Sequence, residues 1–331
     1  MLVPKSVTNH SAIIHPPGFY IIGFKSFSYI SAYIFFLVFV YLVTVVFNGL
    51  LMYIIAMDNK LHTPKFLAVV NLAVIDALLN TSTIPGMVKT FVLNDNFVPF
   101  NLCLVQMFIH YSCICLESYA LAILAYDRVI AISFPFRQNV LNTRPIMFTI
   151  IGLTWCYSVG LLAYSTIIMT RLSFCRSVTV FSYFCDYAPV FRLACNDYSL
   201  HWAVATVSLV NLIAPFIFIV FSYVTIIMTV FRMKSVTSRM KALTTCIEHL
   251  ILVTIFYFPL FIIYFVGLLI KSVNPDQRVL SLSLATCLPP CINPIVYSLK
   301  TKEIRTRASD NLIQKLTRNS SNIVRIGLFR T

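Results

Sequence analysis

The sequence predicts an all-α membrane protein, a seven-transmembrane helix bundle with a short amphipathic C-terminal helix. Three observations predict it. Hydrophobic residue types make up 59% of the 331 residues and charged types only 11%, against roughly a quarter charged in soluble domains. A soluble core of this size cannot hide so much apolar surface, whereas a bilayer can. The apolar residues gather into seven stretches, each long enough to cross hydrocarbon, which takes about 20 residues. Lys and Arg concentrate on one side of those stretches.

The stretches run over about Tyr29–Met57, Phe66–Leu93, Asn101–Ile132, Ile146–Met169, His201–Phe231, Arg239–Ile270 and Val279–Leu299. Backbone amides in lipid must be satisfied internally, so each is expected to be a helix. The third, fifth and sixth exceed the minimum length and should tilt or project. Pro85, Pro215, Pro259 and Pro294 fall inside spans, remove a backbone donor each, and should bend their helices. The chain thus divides into an N-terminal segment (1–28), a transmembrane domain (29–299) and a tail (300–331). Residues 1–28 are mixed and Pro-containing, without a cleavable signal pattern, so the first span is expected to direct its own insertion.

Orientation follows from the basic residues. The segments after odd-numbered spans, together with the tail, hold 17 of the 25 Lys and Arg. The N-terminus is therefore expected outside and the tail in the cytosol. The net charge of +14 reflects this asymmetry. It is split over short loops and forms no continuous basic face, which argues against nucleic acid as a partner. In the tail, Ile304, Ala308, Leu312 and Leu316 recur at four-residue steps beside Arg305, Arg307 and Lys315, the pattern of a basic helix lying on membrane lipid.

Of ten cysteines, Cys103, Cys175, Cys185 and Cys195 fall on the outer side. Four cysteines in an oxidising compartment point to two disulfides, and spacing leaves three pairings open. Asn9-His10-Ser11 is a glycosylation acceptor on the same side.

Acids at membrane depth are costly and need a reason. Asp76 lies in the second span and Glu117 in the third, with Asn48, Asn71 and Asn293 at similar depth. Asp76, Glu117 and Asn293 are expected to form a polar cavity that holds sodium or water and rearranges in switching; the alternative is hydrogen-bonded glue between helices. Arg128 follows Asp127 at the inner end of the third span. No nucleophile–base pair or metal cluster of an enzyme stands out, and no internal repeat points to a transporter.

Several strings carry a resemblance. Ala125-Tyr126-Asp127-Arg128-Val129-Ile130-Ala131-Ile132 resembles the third-span signature of rhodopsin-like G-protein-coupled receptors and, more narrowly, of vertebrate odorant receptors. Leu61-His62-Thr63-Pro64-Lys65-Phe66 resembles their first inner loop. Lys241-Ala242-Leu243-Thr244-Thr245-Cys246 with His249-Leu250 resembles the entry to the sixth span. Pro289-Pro290-Cys291-Ile292-Asn293-Pro294-Ile295-Val296-Tyr297-Ser298-Leu299 resembles the seventh. The matches run in order from about Asn48 to Glu303. Val129 and Glu248 depart from the pattern, at positions where tyrosine and a small hydroxyl residue are common.

The resemblance implies a receptor for a small-molecule odorant that activates a stimulatory heterotrimeric G protein, raises cyclic AMP, and resides in the plasma membrane of olfactory sensory neurons. A rhodopsin-like receptor for a small lipid or hormone is the alternative. The resemblance implies disulfides Cys103–Cys185 and Cys175–Cys195, and a G-protein switch at Asp127 and Arg128 with Tyr223 and Tyr297. With helical spacing, it also implies a ligand pocket lined by His110, Tyr111, Ile114 and Cys115; by Val207, Ser208 and Asn211; by Tyr257, Leu260, Phe261 and Tyr264; and by Ser283 and Cys287. No cofactor is implied. No Lys precedes Lys300 in the seventh span to anchor retinal. No carboxylate lies on the outer half of the third span to capture an amine. The expected ligand is therefore small and neutral or weakly polar, with His110 the one group titrating near neutrality.

Overall fold

The computed structural model describes residues 13–24, 28–175, 177–269 and 275–300, without the side chains of 264–269 and 298–300. Asn9, the expected tail helix and the side chain of Tyr264 lie outside the described residues. Six long helices follow the first six apolar stretches: α1 (Ile30–Met57), α2 (Pro64–Phe91), α3 (Phe100–Ser133), α4 (Arg144–Met169), α5 (Ser199–Arg232) and α6 (Val236–Leu269). The seventh span is two successive helices, α7 (Pro275–Cys287) and α8 (Pro289–Lys300). Seven helical spans are long and apolar enough to cross a membrane.

Proline and asparagine explain the break. The Cys291 amide bonds Leu288 O, three residues back, and Cys287 O is left for Asn80, whose Nδ2 donates to it at 3.1 Å. Pro294 has no N–H to give Pro290 O, and Asn48 Nδ2 donates to that carbonyl at 3.2 Å. Two carbonyls freed at this break are thereby matched by two amides from α1 and α2. Asn71, at similar depth, accepts from Trp155 Nε1 at 2.7 Å and ties α2 to α4.

The helix α3 is the axis of the bundle. It packs against α2, α4, α5 and α6, and 72% of its most apolar window is buried, against 17% for α4 and 22% for α1. The outward faces carry exposed Phe35, Phe39, Leu153 and Phe221, an apolar belt that suits lipid.

Above the helices lies a sheet that the periodicity of the sequence does not announce. Strand β1 (Gly18–Ile21) pairs antiparallel with β2 (Phe97–Pro99) and parallel with β3 (Thr179–Val180). It joins the N-terminal segment to the loops after α2 and α4. Gly18 is required there, because a Cβ would sit 2.2 Å from Val98 O.

Candidate functional site

Two disulfides hold the roof of the bundle. Cys103, on the first turn of α3, is bonded to Cys185, and Cys175 to Cys195, with Cα–Cα distances of 5.3 and 5.9 Å. Pinned by the first bond, the loop after α4 dips between the helices. Phe184 lies over the His110 ring at 4.0 Å. The Tyr183 hydroxyl bonds Thr286 at 2.9 Å, and Asp186 accepts a short hydrogen bond from the Tyr111 hydroxyl. Burial pushes the Asp186 carboxyl above the usual carboxylate range, although Tyr111, Arg278 and Arg192 pull the other way. His110 itself is buried, with Nδ1 3.0 Å from Thr83 Oγ1. The histidine and tyrosine expected to line a pocket are thus covered directly by loop residues.

Beneath this roof the expected pocket residues divide. Tyr257 and Leu260 are buried in the main core, with Phe261 and Ile114 packed against it. The Tyr257 hydroxyl is 2.6 Å from Ser118 Oγ, and its ring stacks on Phe261. Cys115 is a half-buried free thiol. Ser208 Oγ donates to Val204 O of its own helix. Asn211 Oδ1 accepts from the hydroxyls of Tyr119 at 3.0 Å and Tyr157 at 2.6 Å, and so ties α5 to α3 and α4. Ser283 bonds the Tyr33 hydroxyl of α1 at 2.6 Å, and Cys287 belongs to the same α1–α2–α7 cluster. Val207 is a correction: it is 45% exposed, at the edge of the α5 face that carries the buried Val204 three residues before it and Asn211 four after it.

At the centre, Asn293 Nδ2 donates to both Asp76 oxygens, at 3.0 and 3.1 Å. Glu117 lies within electrostatic range of Asp76 and also reaches Asn293. Both acids are almost fully buried. Glu117 Oε1 has no hydrogen-bond partner among the described residues. Two buried carboxyl groups this close need a proton or a cation between them, and their oxygens with the orphaned Oε1 suit a hard cation such as sodium.

At the end of the bundle away from the disulfides, Asp127 Oδ1 accepts from Asn142 Nδ2 at 2.7 Å, and the Tyr126 hydroxyl donates to Leu141 O at 2.6 Å. Together they clamp the loop after α3. Arg128 is 9% exposed, and its Nε has no partner among the described residues. Tyr223 and Tyr297 both lie within its electrostatic range. The half-buried Glu248 lies within range of Tyr297 in the same way. Tyr223 is held by His249, whose Nδ1 is 2.8 Å from the hydroxyl and whose Nε2 is 2.9 Å from Leu121 O. A carbonyl can only accept, so Nε2 carries the proton and, in the neutral ring, Nδ1 accepts from Tyr223.

Sequence reasoning did not find Thr83, Ser118, Phe184 or Asp186. The signal available for the last two was adjacency to Cys185: a disulfide that reaches α3 carries its neighbours with it.

A polar centre, a disulfide-pinned roof and an arginine at the opposite end, all on seven helices long and apolar enough to cross a membrane, define a multi-pass receptor of the G-protein-coupled class. A family profile described as olfactory receptor matches residues 37–315. The chain is 33% identical to human olfactory receptor 1D2 over 282 residues, which cover 84% of this chain and 89% of that protein. It is 29% identical to mouse olfactory receptor 1M1 over 281 residues, and 32% identical to human olfactory receptor 13H1 over 282. The chain belongs to the olfactory receptor family, and is accordingly an odorant G-protein-coupled receptor and not an enzyme.

Proposed function

We propose that this receptor takes a small, neutral or weakly polar odorant between the Phe184 roof and the Tyr257–Ser118 pair, and passes the signal inward to a stimulatory heterotrimeric G protein that raises cyclic AMP. The observation that carries the reading is the inner mouth. Arg128 is buried with an Nε unpartnered among the described residues, beside a Tyr223 latched to His249, an arrangement that release of the latch would alter. The polar side chains near the proposed site are paired with one another or with protein, Tyr111 with Asp186, His110 with Thr83 and Ser118 with Tyr257, which supports a neutral ligand over an ion. In this reading the N-terminus and the sheet face outside, Asn9 carries a glycan, and the protein sits in the plasma membrane of olfactory sensory neurons with its tail on the inner leaflet. Asp76, Glu117 and Asn293 hold a proton or sodium ion that favours the resting bundle.

A cyclic-AMP reporter in cells expressing the full chain, screened against a panel of neutral volatiles and against lipids and steroid hormones, tests the reading. Responses to volatiles, lost in Tyr257→Ala, support it. Responses confined to a lipid or hormone favour the alternative receptor class.

A further inference from the structure

A cavity of about 270 Å³ lies outside the proposed odorant site, between α2 and α3 and directly under the sheet. Its lateral walls include Gly86 of α2 with Val105 and Ile109 of α3, its ceiling Ile21 of β1 and Val98 of β2, and its inner wall Phe184. We infer that this cavity is a binding site for a small, uncharged, apolar molecule that enters from the bilayer.

The chemistry of the lining selects that class. Of the five polar residues bordering the space, Ser82, Lys89, Thr90, Gln106 and Tyr183, four bond to other protein groups. Gln106 donates to Ser82 O at 3.2 Å and accepts from the Cys185 amide at 3.3 Å. Lys89 donates to Phe97 O at 2.8 Å and pairs with Asp95 at 3.2 Å. Ser82 donates to Leu79 O, and the Tyr183 hydroxyl is bonded to Thr286. An ordered water needs two to four polar partners, and apolar cavities of roughly 150 Å³ stay dry and accept benzene. A space larger than that, walled by aliphatic and aromatic carbon, suits a short hydrocarbon or terpene-like molecule.

The route follows from what is closed. Ile21 and Val98 are buried under the sheet, which shuts the cavity from above, whereas Leu102 and Val105 at its edge are 53% and 50% exposed on the lipid-facing side of α3. Gly86 adds no side chain to this wall; a Cβ there would come within 2.9 Å of Gln106 Nε2, the end of a flexible side chain. Phe184 is a wall shared with the odorant site, since its ring lies 4.0 Å from His110. An occupant that presses on Phe184 therefore acts on the roof of that site, and by linkage an odorant acts on the occupant.

The test uses the full chain in lipid nanodiscs and a neutral medium-chain alkyl diazirine. After photolysis, peptide mass spectrometry locates the adducts. The expected result is labelling of the segments around Gly86 and Val105–Ile109, suppressed severalfold by excess parent alkane, while labelling of lipid-facing Leu153 and Phe221 is not suppressed. Val105→Trp, which blocks the edge, and Ile109→Phe, which fills the space, should each reduce the cavity adducts to the level of Leu153. Labelling at Gly86 and Ile109 that excess alkane leaves unchanged overturns the proposal. So does a cavity labelled by a diazirine phospholipid but not by the alkyl probe, since the occupant is then an acyl chain of the bilayer. The competition in the unsubstituted protein decides the matter even if neither variant folds.

Discussion

The Tyr111 hydroxyl donates to the Asp186 carboxylate across 75 residues of sequence, and this one bond brings an acid to the roof of a bundle whose third helix has none on its outer half. Burial raises the Asp186 carboxyl, as the largest influence on it. The folded roof therefore holds a proton more readily than the unfolded chain does. Its contribution to stability is complete below the ordinary carboxylate value and is lost as pH rises through the raised one. Asp186→Asn should flatten that slope. Unfolding midpoints of the purified receptor measured from the ordinary carboxylate range upward would show it; an unchanged slope in the variant means that Asp186 is not the group responsible.

The two disulfides should differ in weight. Cys103–Cys185 closes 82 residues and Cys175–Cys195 only 20. On the chain-entropy account the longer closure is worth about 1 kcal/mol more, within a typical total of 2–5 kcal/mol. Cys103→Ser should abolish surface display, whereas Cys175→Ser should reduce it. Flow cytometry of tagged receptor, with non-reduced peptide mapping of the pairs, checks both; equal surface loss would argue against the longer closure carrying more.

Arg128→Ala should eliminate the cyclic-AMP response while surface display persists. The His249 latch adds a second expectation. Tyr223→Phe removes a hydroxyl that donates to His249 Nδ1 and that is available to Arg128 only once released, so its maximal response should fall with little change in ligand ranking. A full response from Arg128→Ala at normal surface density would exclude the proposed switch.

Much of this architecture is legible in the sequence because lipid imposes a simple code. Apolar runs longer than a bilayer crossing become helices, and each of the six single-helix spans begins or ends within a few residues of the expected bounds. The seventh defeats that code, since Pro289 and Pro290 lie in an apolar run while the compensating Asn48 and Asn80 are more than 200 residues away. The strands are invisible for a similar reason. The segments Gly18–Ile21 and Thr179–Val180 are too short to show alternation, and their pairing is set by where the helices end. Within the site, Tyr257 and Leu260 are buried, whereas Val207, three residues after Val204 and four before Asn211, stands roughly 40–60° round the helix from them, enough to turn it out of the bundle. Ser283 was legible as buried, yet not as the partner of Tyr33 on α1, which requires knowing which helices are neighbours.

The break between α7 and α8 should be sensitive to its amides. Asn80→Leu leaves Cys287 O buried without its donor, at a cost of about 1–3 kcal/mol. Thermal unfolding in detergent should record a lowered midpoint, whereas Asn71→Leu, which frees only the partly buried Trp155 indole, should cost less. The reverse order would mean that the break is satisfied in some other way.

Asp76 offers the sharpest separation between a switch and simple glue. Asn293 donates to both of its oxygens, and Glu117 beside it keeps one buried oxygen unpartnered among the described residues. If the pair holds sodium in the resting state, the ion stabilises that state and opposes agonist binding by linkage. Asp76→Asn preserves shape and one acceptor for Asn293 but removes the charge. Potency should then lose any dependence on sodium, and basal or maximal cyclic AMP should change, while the rank order of odorants stays as it was. Glu117→Gln should act in the same direction, because the cation needs both acids. Dose–response curves in sodium and in choline media, for the native chain and both variants, measure all of these quantities at once. If Asp76→Asn alters only which odorants are recognised and leaves basal and maximal responses intact, the two acids hold helices together and take no part in switching.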